Sequence, residues 1–437
     1  MIRARTKEWV RQVPAGWRDG RLKDFFSYAK GLNITKADLV EDGVAVVSYG
    51  QIHAKHNTGT HLDQSLIRYV PEEIAVACPN SKLKEGDIVF ADTSEDLDGV
   101  GNCVLNDSGD EVYAGYHALI ARARFPEHSK YLSYLLQTDA WRGQVRTRAS
   151  GIKVFSLTQR VLNPVTVILP PLPEQKRIAA FLDAKCADID KAIEVKRKQL
   201  DLLEVQWKNE ITRQVVFGGV GLRQSTNIVW MPEIKRGWRT VSLKRLLKTK
   251  LEYGLSEAAE LEDRELPRYI RITDFDENGA LKDETFRSLP VDIAKDAMLQ
   301  VDDVLFARSG ATVGKSFIYE GWDRGACFAG YLIRAQTKPW LLDPHYLYYF
   351  TKSLSYDAWK NLIFTQATIQ NISAVKYGMM KLPVPPIGEQ KDIVKRLNER
   401  HLHMERLFDN LRRQIEVLAD YRKSLIHECV MGERRVG

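Results

Sequence analysis

The sequence predicts an α+β protein: two pseudo-symmetric α/β units separated by two long helices that form an antiparallel coiled coil. Three observations lead there. A short motif occurs twice, as Pro170-Pro171-Leu172-Pro173-Glu174-Gln175-Lys176 and Pro385-Pro386-Ile387-Gly388-Glu389-Gln390-Lys391, with an offset of 215 between Glu174 and Glu389. The apolar register after each copy is the same: Ile178, Leu182, Ile189, Ile193, Leu200 and Leu203 answer Ile393, Leu397, Met404, Phe408, Ile415 and Leu418. The segments before the motifs share landmarks and little else. Gly16-Trp17-Arg18 answers Gly237-Trp238-Arg239, Gly86-Asp87-Ile88-Val89-Phe90-Ala91 answers Asp302-Asp303-Val304-Leu305-Phe306-Ala307, and Tyr131-Leu132-Ser133-Tyr134 answers Tyr346-Leu347-Tyr348-Tyr349. A duplicated unit of this size makes a pseudo-symmetric molecule, and such a molecule suits a ligand with two halves.

The helices are read from spacing. Positions 182, 186, 189, 193, 196, 200, 203 and 207 advance by alternating fours and threes, the seam of a coiled coil, and 397, 401, 404, 408, 411, 415, 418 and 422 repeat it. Lys196, His401 and Arg422 interrupt the seams. Each helix opens after prolines, which lose nothing at a first helical turn, and Glu174 and Glu389 sit where the helix dipole favours an acid. Helices of about 44 residues span roughly 66 Å. That length needs a partner along most of the helix, and the economical partner is the other copy. Antiparallel pairing would hold the preceding units at opposite ends of a rod.

The chain therefore divides into a unit at 1–169, a helix at 170–217, a linker at 218–230, a second unit at 231–384 and a second helix at 385–437. The linker has the Gly, Ser and Thr content of a flexible joint. Short β-branched runs at 44–47, 88–90 and 165–169 read as strands, and 128–142 and 344–362 as helices.

Composition narrows the function. With 44% hydrophobic and 28% charged residues, the 437-residue chain can bury real cores. No window has the apolar length of a membrane span, and the N-terminal residues lack the apolar core of a secretory signal, so a cytoplasmic location is expected. Five scattered cysteines without a CxxC pair argue against a zinc site or a disulfide scaffold. A net charge of +7 permits nucleic-acid binding without demonstrating it.

Catalytic motifs yield three near-misses. Phe217-Gly218-Gly219-Val220-Gly221 matches a methyltransferase cofactor pattern, yet it follows a long helix rather than a strand and lacks the partner motif, since Asn163-Pro164 runs on into Val165. Gly310-Ala311-Thr312-Val313-Gly314-Lys315-Ser316 is one residue short of a phosphate loop and reads as a turn with a basic tip. His53, His56 and His61 are close in sequence, but no acid or cysteine cluster joins them, and surface-loop histidines are the commoner explanation. Catalytic, cofactor-binding and metal-binding residues are accordingly expected to be absent.

The order of variable unit, Pro-rich Glu-Gln-Lys helix, variable unit and second Glu-Gln-Lys helix resembles the specificity subunits of type I restriction-modification systems. The resemblance covers nearly the whole chain and rests on the doubled motif at 169–176 and 385–391. The departure at Gly388, where the first copy has Pro173, is minor. It implies that the variable units are target recognition domains, each reading half of a split double-stranded DNA sequence, and that the paired helices are a spacer setting the gap. It also implies two modification subunits that methylate adenine, and separate restriction subunits, two of them, that translocate and cleave. Adenosylmethionine and ATP would sit on those partners and not on this chain. A specificity module of another defence methyltransferase, or a free-standing bipartite DNA-binding protein, would share the layout.

Reading DNA needs cations for phosphates and amide or guanidinium groups for base edges. Residues 141–153 contain four basic residues and no acid, and residues 365–371 contain no acid and several hydrogen-bonding side chains. Both precede the Pro-rich helix starts. Arg146, Arg148, Ser150 and Lys153 are the candidates in the first unit. Thr365, Gln366, Thr368, Gln370 and Asn371 are those in the second, with Arg308 and Lys315 for phosphates. Tyr49-Gly50-Gln51-Ile52-His53 and Arg271-Ile272-Thr273-Asp274 stand behind them.

Overall fold

The structure, a computed structural model, describes residues 13–436 except Ser150, Ile152, Glu277, Asn278, Ala311 and residues 366–369. The described chain forms two compact units. One runs up to Lys196 and resumes at Arg413; the other is Arg197–Arg412. Each long helix, Leu172–Val215 and Ile387–Val430, has 44 residues and gives one half to each unit. A cut at the Pro-rich motifs therefore does not coincide with the compact units. The reason is physical: a helix of this length must bury its apolar stripe throughout, and each half finds its cover in a different core.

In the first unit the central sheet runs Phe26–Lys30, Ala118–Ala123, Ile88–Ala91 and Cys103–Leu105, all antiparallel. Ile88–Ala91 is buried at every position, as an uninterrupted apolar run flanked on both edges should be. A three-stranded sheet adds Arg68–Val70, Val44–Val47 and Val112–Ala114. Arg18–Arg21 pairs antiparallel with Thr166–Leu169, which leads into the first long helix. The core joins Tyr131, Leu132 and Trp141 to Ile178, Leu182 and Cys186 of the first long helix and to Leu425, Cys429 and Val430 of the second.

The second unit repeats the plan with Glu252–Tyr253, Leu332–Ala335, Val304–Ala307 and Ser316–Ile318. Arg239–Ser242 pairs with Lys381–Val384 as its lead-in. Its core takes Ile211 and Val215 from the first long helix and Ile393 and Leu397 from the second.

Within each unit the two helices pair antiparallel. In the second, Glu210 meets Arg400 while Gln214, one turn further on, meets Arg396 at 3.3 Å. In the first, Asp190 meets Arg422 at 3.0 Å, and the Arg434 guanidinium lies 6.0 Å from the Phe181 ring. Two of the three seam interruptions are thereby accommodated: Arg422 has its cross-helix acid, and His401 stacks on Trp207 with ring centroids 5.8 Å apart.

Hydrogen bonds obey the 215-residue offset more closely than the residues do. The Tyr131 hydroxyl reaches the carbonyls of Ile168 (3.1 Å) and Val430 (3.0 Å). The Tyr346 hydroxyl reaches those of Pro383 (3.1 Å) and Val215 (2.7 Å). Val215 and Val430 are the last residues of the long helices, so each tyrosine satisfies a terminal carbonyl that has no intrahelical partner. Gln175 and Gln390 donate to the carbonyls of Pro170 and Pro385, both at 2.8 Å, and hold the motif onto its own helix start.

Two local expectations change. The helices read at 128–142 and 344–362 are each broken in two, as Ser129–Leu135 with Asp139–Arg146 and Pro344–Phe350 with Leu354–Thr365. The Thr138 hydroxyl donates to the Leu135 carbonyl and accepts the Trp141 N–H; Ser353 does the same between Phe350 and Tyr356. A hydroxyl in that place caps a new helix. The linker is also not a flexible joint. Gly218 (φ +61°) and Gly219 (φ +94°) stop the first long helix, donating to the carbonyls of Gln214 and Arg213. Arg223–Ser225 then pairs with Glu233–Lys235, and Ile228, Met231 and Ile234 enter the second core. Overall composition concealed these few apolar anchors. The Phe217–Gly221 stretch is thus a helix stop. No helix among the described residues is long and apolar enough to cross a membrane.

Candidate nucleic-acid interface

In the second unit a β-bridge between Ser309 and Asn371 joins the loop after the central strand to the segment before the second Pro-rich motif. Four of the candidates named from the sequence lie on these two segments. Arg308 leaves the central strand with its guanidinium 4.8 Å above the Tyr253 ring. Among the described residues that guanidinium makes no hydrogen bond or ion pair. The Tyr253 hydroxyl accepts the Ala374 N–H at 3.0 Å, which fixes the ring from the other side of the bridge. The Asn371 side-chain oxygen is buried without a hydrogen-bond partner, and Gln370 is exposed. Such a partnerless acceptor is uncommon in a settled interior.

The turn from Gly310 to Ser316 carries the basic tip. Gly310 (φ +77°) and Gly314 (φ +80°) occupy the left-handed region, and a strand rather than a helix follows, so no phosphate-loop helix forms. A Cβ on Gly314 would lie 2.4 Å from the Lys360 side chain, so the glycine lets Lys360 pack across the turn. Exposed Lys315 and half-buried Lys360, the latter paired with Asp357 at 2.8 Å, stand near Lys352, whose ammonium donates to the Ser316 carbonyl at 2.9 Å. Burial first, then repulsion from Lys315 and Lys360, pushes Lys352 down to about 8.

The first unit has the same frame with different side chains. Thr93–Ser94 pairs with Phe155–Ser156, so Thr93 opposite Ser156 answers Ser309 opposite Asn371. A cleft of about 680 Å³ opens beside it, lined by Tyr49, His53, Asp96, Asn102, His117 and Arg142 among others. His53 bonds the Thr93 carbonyl at 2.8 Å and Asn102 at 3.0 Å. Arg142 donates to Asn102 and Gln137 and is nearly buried, with burial lowering its basicity. Asp92 faces His117 at 3.2 Å.

The remaining candidates scatter. Arg146 is held by Asp98 (3.5 Å) and Asp139 (3.8 Å), beside a second cleft of about 790 Å³ that it shares with Arg422, Lys423 and His427. Arg148 and Lys153 are exposed, Arg148 donating back to the Gln144 carbonyl at 2.5 Å. Ser150, Gln366 and Thr368 lie outside the described residues, and Thr365 ends a helix with its side chain outside them. Arg271 is engaged by Asp274 (2.7 Å), which is fully buried. His61 bonds Asp107, and no group of three metal-ligating side chains gathers among the described residues. Sequence reasoning missed Tyr253, Lys352, Lys360, Asp92 and His117. Extending the 86–91 alignment by one residue would have set Asp92 against Arg308.

Comparison with known proteins matches this architecture along its length. The type I restriction modification DNA specificity domain family matches residues 14–204 and again 235–405. The StySPI type I restriction enzyme specificity subunit of Salmonella potsdam is 20% identical over 97% of this chain and 90% of its own length. The MjaVIII specificity subunit of Methanocaldococcus jannaschii is 23% identical over 97% and 94%. Among solved structures, a chain from work on complex assembly and conformational transition of the type I R-M system aligns with a TM-score of 0.65 at 18% identity, covering 97% of this chain and all of that one. With two matched copies that span most of its length, the chain belongs to the type I restriction modification DNA specificity domain family.

Proposed function

We propose that this chain is the non-catalytic DNA-reading subunit of a type I restriction-modification complex. It recognises a bipartite double-stranded target and directs adenine methylation and cleavage by partner subunits. Residues 1–169 and 231–384 act as the two target recognition domains. The partners are two methyltransferase subunits carrying adenosylmethionine and two ATP-driven translocase-nuclease subunits, with no cofactor on this chain. One observation carries the reading: the two units share a hydrogen-bond frame to the residue, while side chains at their bridges differ, Asp92 against Arg308 and Ser156 against Asn371. A common scaffold with divergent loops is what two readers of different sequences require.

The residues proposed to meet DNA are Arg146, Arg148, Ser150 and Lys153 in the first unit. In the second they are Arg308, Lys315, Thr365, Gln366, Thr368, Gln370 and Asn371. Exposed Lys315 supplies positive charge for the backbone, and the amides supply donors and acceptors for base edges. Mapping methylated adenines in cells with and without this gene, the native methyltransferase present in both, tests the proposal. A split motif that loses its methylation on deletion is the expected result. Unchanged methylation would overturn it and leave a free-standing DNA binder.

A further inference from the structure

Asp92 and Arg308 occupy one structural position. Each is the first residue beyond its central strand, Ile88–Ala91 or Val304–Ala307. The Asp92 N–H donates to the His117 carbonyl (3.0 Å), and its carbonyl accepts from Leu157 (2.7 Å). The Arg308 N–H donates to the Tyr331 carbonyl (3.0 Å), and its carbonyl accepts from Ile372 (2.9 Å). The next residue of each forms the bridge, Thr93 to Ser156 and Ser309 to Asn371. The backbone frame is the same, yet one side chain is an anionic acceptor and the other a cationic donor.

We infer that this shared position reads a base edge in each half-site, Arg308 selecting guanine and Asp92 selecting a base that presents an amino group, cytosine or adenine. The inference rests on the DNA-reading function proposed above. Charge decides between phosphate and base. A phosphate-contacting position would not carry a carboxylate in one of its two copies, because like charges repel at that distance. A base-reading position accommodates both, since guanine offers acceptors at O6 and N7, while cytosine N4 and adenine N6 offer donors.

Each side chain is also pre-set for the task. Arg308 lies over Tyr253, itself anchored by the Ala374 N–H, so its planar fork is oriented before DNA arrives. Asp92 directs one carboxylate oxygen to His117, and among the described residues the other has no protein partner. Lys315, exposed on the neighbouring turn, keeps the phosphate role in the second unit.

The test uses the full chain assembled with its methyltransferase subunits, acting on a randomised duplex library, with methylated molecules sequenced. Arg308→Gln should change the preference at one guanine of one half-site, roughly 5- to 150-fold in discrimination, and leave every other position intact. Asp92→Asn should change one position of the other half-site. Arg308→Lys should relax the guanine and leave the other positions of the motif as they are. The unaltered half-site reports folding within the same experiment. A motif unchanged at every position in the variants, with methylation merely weaker, would overturn the inference and make Arg308 a backbone contact. If Arg308→Gln gives no methylation, the Arg308→Lys motif decides by the same criterion. Failure of the underlying reading looks different, because the wild-type complex would then yield no split motif at all.

Discussion

Replacing Tyr346 with phenylalanine removes one oxygen and tests how the end of a long helix is held. The side chain is fully buried, and phenylalanine keeps its volume, so no cavity opens. What disappears is a hydroxyl 2.7 Å from the Val215 carbonyl and 3.1 Å from that of Pro383. Val215 ends the helix, so its carbonyl has no intrahelical partner to fall back on. A lost net hydrogen bond with a buried acceptor left bare costs about 1–3 kcal/mol. Hydrogen exchange of the intact chain, read by mass spectrometry on the last turns of the first long helix, should therefore quicken roughly 5- to 150-fold. Tyr131→Phe, with contacts of 3.0 and 3.1 Å, should act equally on the end of the second long helix. Exchange changed less than twofold in both variants would refute the reasoning. So would Tyr346→Phe loosening the end of the second helix instead of the first.

Other expectations concern charge and backbone. Lys352 sits near 8 when folded and at its ordinary 10.5 when unfolded. At this group the unfolded chain thus holds more protons between those values, so the contribution of Lys352 to stability should rise with pH across that window, while the buried cysteines, raised above 9, act the other way toward its upper end. Lys352→Met should stabilise the chain at pH 7 by about 1–2 kcal/mol after allowing for the lost Ser316 hydrogen bond, and the gap in urea midpoint between variant and wild type should shrink as pH rises from 7 to 10. Gly86 and Asp302 share a left-handed turn position at φ +88° and +74°, but a Cβ on Gly86 would lie 2.9 Å from Pro126. Gly86→Ala should lower stability by about 1–3 kcal/mol, measured by denaturation, although the equivalent turn in the second unit carries an aspartate. Arg148→Ala and Lys153→Ala should each reduce the slope of log affinity against log salt by about 0.9 in duplex-binding titrations, with no change of preferred sequence.

The doubled Glu-Gln-Lys motif and the fours-and-threes seam made the helices and their pairing legible, because a long buried stripe leaves a periodic mark. The breaks at Thr138 and Ser353 were not legible as breaks, since a single hydroxyl cap is decided by local geometry that apolar periodicity runs straight across. The linker was misread for a related reason. Its three glycines with Ser225 and Thr226 suggested a joint, but Ile228 within it and Met231 and Ile234 just beyond decide where it lies. The candidate interface was half legible. Loops rich in cations and amides stood out, whereas the ring that orients Arg308 comes from Tyr253, 55 residues earlier in sequence (308 against 253) and on another strand. Likewise Arg146 looked available beside Arg148, and only the fold brings Asp98 to it.

The proposed function requires each unit to read its own half of one target. Once the methylated motif is known, the assembled complex can be titrated onto four duplexes: the intact motif, either half scrambled, and both halves scrambled. Loss of affinity on scrambling either half, larger again when both are scrambled, is the predicted result. Binding indifferent to one of the halves would contradict it.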